Sequence, residues 1–289
     1  MRYRACMAAN AIPSSIPFMP FPLHRPSSRP ASWQPGLAAN LAVSFERSHA
    51  ARLATGYSTA SWLGLATSDG PATVPILQHS AQFELLTGPA RQRYEGLALV
   101  LAETLPGEVE AALFREAVQL LRHGDQLRDA VRVLVRSVHA LVPCGEGFDT
   151  SHSDPDVPFS VFLSIPTGEK HAALRLAESI LHEAMHLQLS LFEAGEPLVG
   201  ESDASGYSPW QGTVRPIGGL VHGLFVFRAI FDWLGTLDSA CSDGASTLAY
   251  VENRRHEILQ EMSCIADLAA SPALTPTGAR LVTTWLDFS

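Results

Sequence analysis

The chain has 289 residues, of which 46% are hydrophobic and 17% charged, and a formal net charge of −9. That composition excludes a disordered chain, and the acidic balance argues against a nucleic-acid backbone as the main partner. The four cysteines (Cys6, Cys144, Cys241 and Cys264) are scattered, with no C-x-x-C pair, and the N-terminal stretch lacks the continuous apolar core of a secretory signal, so reduced thiols in a cytoplasm are expected.

Residues 1–36 carry Pro13, Pro17, Pro20, Pro22, Pro26, Pro30 and Pro35. Prolines at this density remove backbone donors and block helix and ladder alike. They predict an irregular arm, which Phe18, Phe21 and Trp33 favour docking on the body. Helical patterning starts past Pro35-Gly36, with Leu41, Val43, Phe45, Ala51 and Leu53. Further helices are predicted over Arg91–Leu105, Glu108–Arg122 and Gln126–Leu141. His123-Gly124-Asp125 reads as a stop and restart, Gly closing one helix and Asp capping the next.

Pro143–Pro158 reads as loop, and Phe159–Ile165 alternates as a strand before Pro166. Glu169–Phe192 is strongly helical. After a loop with Gly195, Pro197, Gly200, Gly206 and Pro209, Ile217–Gly235 is apolar enough to suggest a membrane span. It holds His222, Arg228 and Asp232, which are costly in lipid, so a buried core helix and no membrane partner are expected. Two last helices are predicted over about Gly244–Ala269 and Thr275–Leu286. The expected fold is mainly α: one helical domain over 37–289 with a minor β element, preceded by the arm.

Within the helical run, His182-Glu183-Ala184-Met185-His186 reads H-E-x-x-H. Residues four apart on a helix stand one turn above each other on one face, so two imidazoles at this spacing can hold one metal ion from a rigid support. Ile180, Leu181, Ala184, Met185 and Leu187 surround them with uncharged side chains, which predicts a helix buried nearly all round. Buried His and Glu need partners. A third ligand is expected downstream: Glu201 on the loop, or His222 in the Gly-rich Gly218-Gly219-Leu220-Val221-His222-Gly223, which ligand chemistry favours. Glu193, two turns beyond His186, reads as too far to share the ion. Arg215, seven residues before His222, can hold a carboxylate bidentately, or else pair with an acid at the surface.

Taken together, "AESILHEAMHLQL" followed by "YSPWQGTVRPIGGLVHGLFVF" resembles the HExxH-type peptide-modification family of ribosomal peptide natural product pathways. Its members are iron- and 2-oxoglutarate-dependent peptide β-hydroxylases. The resemblance covers roughly residues 150–235, with "SHSDPDVP" and "FLSIP" as weaker echoes, and leaves the first 140 residues unplaced. It implies His182, His186 and His222 as Fe(II) ligands, Arg215 as the 2-oxoglutarate partner, O2 as co-substrate and a precursor peptide as substrate. Gln211 departs from it, since a basic residue is expected after the Trp. Glu183 would then orient a ligand or a water, and Trp210, Phe225 and Phe227 are candidate walls of the site.

Residue chemistry without the resemblance favours a zinc hydrolase, with Glu183 as general base on a metal-bound water. A non-enzymatic peptide-binding protein with a structural metal is the third reading.

Overall fold

A computed structural model describes residues 65–66, 72–76, 79–86, 88–145, 147–154, 159–237 and 245–288. The proline-rich arm and the first predicted helix lie outside the described residues. Within them the chain is mainly helical, with seven α-helices, and it carries more sheet than its sequence suggests. Strands β2 (Ala72–Ile76), β3 (His79–Phe83), β5 (Ser137–Leu141), β7 (Ser160–Ser164) and β6 (Ser151–Ser153) pair in that order. The neighbours β3, β5 and β7 run parallel, and β2 and β6 flank them antiparallel. Two short pieces, β1 (Leu65–Ala66) and β4 (Leu85–Leu86), pair separately.

Three helices connect β3 to its parallel neighbour β5: α1 (Gly88–Gly96), α2 (Glu108–Leu120) and α3 (Asp125–Leu134). The helix expected over Arg91–Leu105 ends at Gly96; Ala98 takes a left-handed conformation, and Leu99 and Leu101 fold back onto Tyr94 and Phe162. The helix expected over Gln126–Leu141 stops at Leu134, and Ser137–Leu141 becomes the strand β5. Its one β-branched residue, Val138, suits a pleated sheet at least as well as a helix, and pairing on both sides decides between them. Part of the loop expected over Pro143–Pro158 is strand β6.

Gly124 does separate two helices, but Asp125 is already helical and Gly124 is not left-handed (φ −100°). Its missing side chain makes room for Trp233, whose Cδ1 would stand 3.2 Å from a Cβ at that position.

Side-chain alternation sends the two faces of the sheet to different partners. Val138, Val161 and Leu163 join the main core, which includes the long helices α4 (Ala172–Glu193) and α5 (Ile217–Leu237). Phe162 and Leu141 face the other way, into a smaller cluster with Tyr94, Leu99 and Leu101. Helix α4 packs on α2, α3, β6, β7 and α5, and α5 also meets α6 (Ala245–Ser263) and α7 (Pro276–Leu286). Thr275 caps α7, accepting a hydrogen bond from the Gly278 amide at 3.0 Å.

Helix α4 is buried from Leu174 to Leu189 on every face, as its apolar surroundings predict. Among the described residues, α5 is the one helix long and apolar enough to cross a membrane, but 67% of that stretch is buried within the protein. Arg228 on α5 shows how a core helix tolerates charge: it pairs with Asp232 at 3.1 Å and donates to the Trp285 carbonyl at 2.9 Å.

Candidate metal centre

Packing α5 along α4 brings three histidines into a row. His182 and His186, one turn apart on α4, meet at 3.1 Å between their Nε2 atoms. His222 of α5 lies beyond His186, with 3.2 Å between the two Nδ1 atoms and the rings tilted by 19°. The far nitrogen of His222, Nε2, is 2.6 Å from Glu193 Oε2. Glu193, two turns past His186, therefore enters the cluster indirectly, because His222 spans the gap. Glu201 is exposed on the loop after α4 and, among the described residues, makes no hydrogen bond or ion pair with these histidines.

Burial governs the ionisation of the cluster. It depresses His182 to about 3, helped by the charge of Arg254. It also carries His186 well below the ordinary imidazole value, with His182 and His222 adding to the effect. Both are then neutral at physiological pH, the form that offers a lone pair to a metal. Glu183 moves the opposite way: burial raises it to about 7, against the hydroxyls of Ser151 and Ser153.

The sheet supplies that hydroxyl contact. On β6, Ser151 and Ser153 pair with Leu163 and Val161, whose side chains join the main core beside α4. Ser153 Oγ donates to Glu183 Oε2 at 2.6 Å. The other oxygen, Glu183 Oε1, is buried, without a hydrogen-bond partner among the described residues, and 3.9 Å from His182 Nε2.

A β-ribbon closes the other side. Strands β8 (Ser205–Ser208) and β9 (Thr213–Pro216) pair antiparallel, and Trp210 lies in the turn between them. Its ring stacks on Phe227 at 5.0 Å and 12°, and Phe227 meets His182 edge-on at 5.4 Å. Gly223 permits this approach: a Cβ there would stand 2.5 Å from the indole. Trp210 and Phe227 thus wall the histidines, whereas Phe225 packs on Trp285 instead. The indole Nε1 is buried without a hydrogen-bond partner among the described residues.

Arg215, on β9, lies against Gly219, one helical turn before His222. Its guanidinium is partly exposed and, among the described residues, joins no hydrogen bond or ion pair. Gln211 sits in the ribbon turn.

Two imidazole nitrogens on one ion, each at about 2.1 Å, stand roughly 3.0–3.4 Å apart. The His182–His186 spacing fits that edge, and Glu183 Oε1, buried and without a hydrogen-bond partner among the described residues, lies 3.9 Å from His182 Nε2. His222 abuts the pair but faces the opposite nitrogen of His186. As they stand, no three His, Cys, Asp or Glu side chains among the described residues are arranged to hold an ion.

Sequence reasoning set Glu193 aside as too distant and passed over Ser153 and a buried pair, Glu178 with Arg254 at 2.8 Å, one turn before His182. Only Glu178 carried a signal: a carboxylate four residues before His182 in a helix apolar all round. Compared with known protein families and with curated protein sequences, the chain matches none.

Proposed function

We propose that the protein is an Fe(II)- and 2-oxoglutarate-dependent hydroxylase acting on a side-chain β-carbon of a ribosomally made precursor peptide. The observation that supports it most is the row of contacting imidazoles, with a guanidinium that pairs with no described residue one turn from the last of them. His182 and His186 would hold the iron from one edge, with His222 joining them once it turns away from His186 Nδ1, and Arg215 would hold a carboxylate of 2-oxoglutarate. When bound, the iron supplies the activation of O2 by the keto acid: one oxygen atom goes to succinate as CO2 leaves, the other to the peptide as hydroxyl.

The protein's own part is positioning and exclusion. The Trp210–Phe227 stack walls the imidazoles from solvent. Ser153 holds one oxygen of Glu183 and leaves Oε1 free to orient a water or a ligand group. Among the described residues, Cys144 and Cys264 are exposed free thiols.

A second reading, the zinc hydrolase, draws on Glu183 itself. A carboxylate raised to about 7 is suited to take a proton from a metal-bound water. One experiment separates the two. The full chain is supplied in parallel with Fe(II), 2-oxoglutarate and O2, or with Zn²⁺ and unstructured peptides. Succinate formation under the first condition supports the hydroxylase. Peptide-bond cleavage under the second, with 2-oxoglutarate left unconsumed under the first, replaces it with the hydrolase.

A further inference from the structure

The histidine row ends on a carboxylate that the metal reading does not use. Glu193 Oε2 stands 2.6 Å from His222 Nε2, with the two side chains 24% and 13% exposed. A carboxylate only accepts, so His222 Nε2 must carry the hydrogen, and in the neutral imidazole, the form that a metal site uses, Nδ1 is then bare. That bare nitrogen faces His186 Nδ1 at 3.2 Å. Two lone pairs at this distance repel, so His186 Nδ1 must in turn carry its hydrogen and donate. A neutral imidazole with hydrogen on Nδ1 has Nε2 bare, and His186 Nε2 is the atom 3.1 Å from His182 Nε2.

We propose that Glu193 is a positioning residue: through His222 it dictates which nitrogen of His186 is bare, and turns that lone pair toward His182. The order then runs Glu193 carboxylate, His222 Nε2–H, His222 Nδ1, His186 Nδ1–H, His186 Nε2. Left to itself, a neutral imidazole divides between two tautomers, one of which aims a hydrogen at the metal. Fixing the tautomer from outside is how carboxylates tune metal-bound histidines, and losing such a partner typically costs 10–100-fold in metal affinity. In the state described, His222 relays this order.

The inference rests on the reading that His182 and His186 bind a metal, but not on which reaction follows. Its first test needs no metal. Two-bond ¹⁵N–¹H correlation spectra of the ¹⁵N-histidine-labelled, metal-free chain read each tautomer directly. The expected result is Nε2–H for His222 and Nδ1–H for His186; hydrogen on Nδ1 of His222, or on Nε2 of His186, overturns the proposal. The second test titrates Zn²⁺ alone against a competing chelator. Glu193→Ala should weaken Zn²⁺ binding about 10–100-fold and leave His186 as a mixture of tautomers. Glu193→Gln, whose amide oxygen still accepts, should keep most of the affinity. Unchanged Zn²⁺ affinity in Glu193→Ala, with His186 still a single tautomer, overturns the proposal. Wild-type protein that takes up no Zn²⁺ defeats the metal reading instead, and the tautomer spectra still decide the role of Glu193.

Discussion

Two groups of histidines lie on opposite faces of one sheet, and they have different chemistry. On the α4 side, His182, His186 and His222 turn nitrogen toward nitrogen at 3.1 and 3.2 Å. On the α1 side, the register places His139, Phe162 and His152 side by side on β5, β7 and β6. There the Phe162 ring separates the histidines, at 4.7 Å from one and 5.7 Å from the other. His139 gives its Nδ1 hydrogen to the Glu84 carbonyl at 3.1 Å. Burial depresses imidazoles on both faces, to about 3 at His182 and about 4 at His139. Burial alone therefore does not mark a site. What differs is spacing: a helical turn brings two rings into edge-on contact, whereas a row across three strands leaves an apolar ring between them.

The sharpest way to break this comparison is metal uptake. His182→Ala or His186→Ala should abolish stoichiometric binding of Fe(II) or Zn²⁺, and His139→Phe should leave it intact; metal analysis after gel filtration decides. A variant at His139 that lost its metal would erase the distinction.

Acid should treat the two faces alike until metal is added. An imidazole whose folded value lies below 6.5 contributes fully above that pH, and its contribution is lost as the pH falls toward the folded value. In the metal-free protein each of His182 and His139 should cost roughly 2 kcal/mol of stability between pH 6.5 and 5. Urea unfolding at the two pH values measures it. His139→Phe should flatten part of that slope whether or not Zn²⁺ is present, whereas saturating Zn²⁺ should stabilise the wild type and fail to stabilise His182→Ala.

The cations differ as well. Arg93, on the α1 side, is committed to Asp154 at 2.7 Å, whereas Arg215 pairs with no described residue. Arg215→Ala should weaken 2-oxoglutarate binding about tenfold to a hundredfold, the worth of a charge-assisted pair, without loss of metal. Equal affinity in calorimetry would remove Arg215 from the site. The remaining expected effect, on stability rather than on binding, concerns the wall. Gly223→Ala must displace the Trp210 indole from its seat, destabilising by about 1–3 kcal/mol and shifting the tryptophan fluorescence. The same change on the α1 side has no counterpart.

How much of this was legible depends on how local the cause was. The metal helix was: H-E-x-x-H in apolar surroundings states its spacing and its burial within a single turn. So was the reading of Ile217–Gly235 as a core helix, because Arg228 and Asp232 need protein partners and found them in each other and in α7. The segment between Gln126 and Leu141 was not. Its pattern serves helix or strand, and only pairing with β3 and β7 makes Ser137–Leu141 a strand. Ser153 was equally hidden: a serine in a loop-like stretch acquires its role from pleat alternation opposite Val161.

By itself, then, the sequence determined the chemistry on offer: two imidazoles and a carboxylate on one buried helical turn, and a third histidine and an arginine further along. Those are consequences of helical periodicity and of the cost of burying polar groups, both of which operate within a few residues. Only the tertiary structure decided what those groups face. Glu193 looked too distant because distance along one helix was the only distance the sequence supplies; the neighbouring helix brought His222 across the gap. Which nitrogen points where is a property of packed neighbours, and no pattern of residues along a chain encodes it.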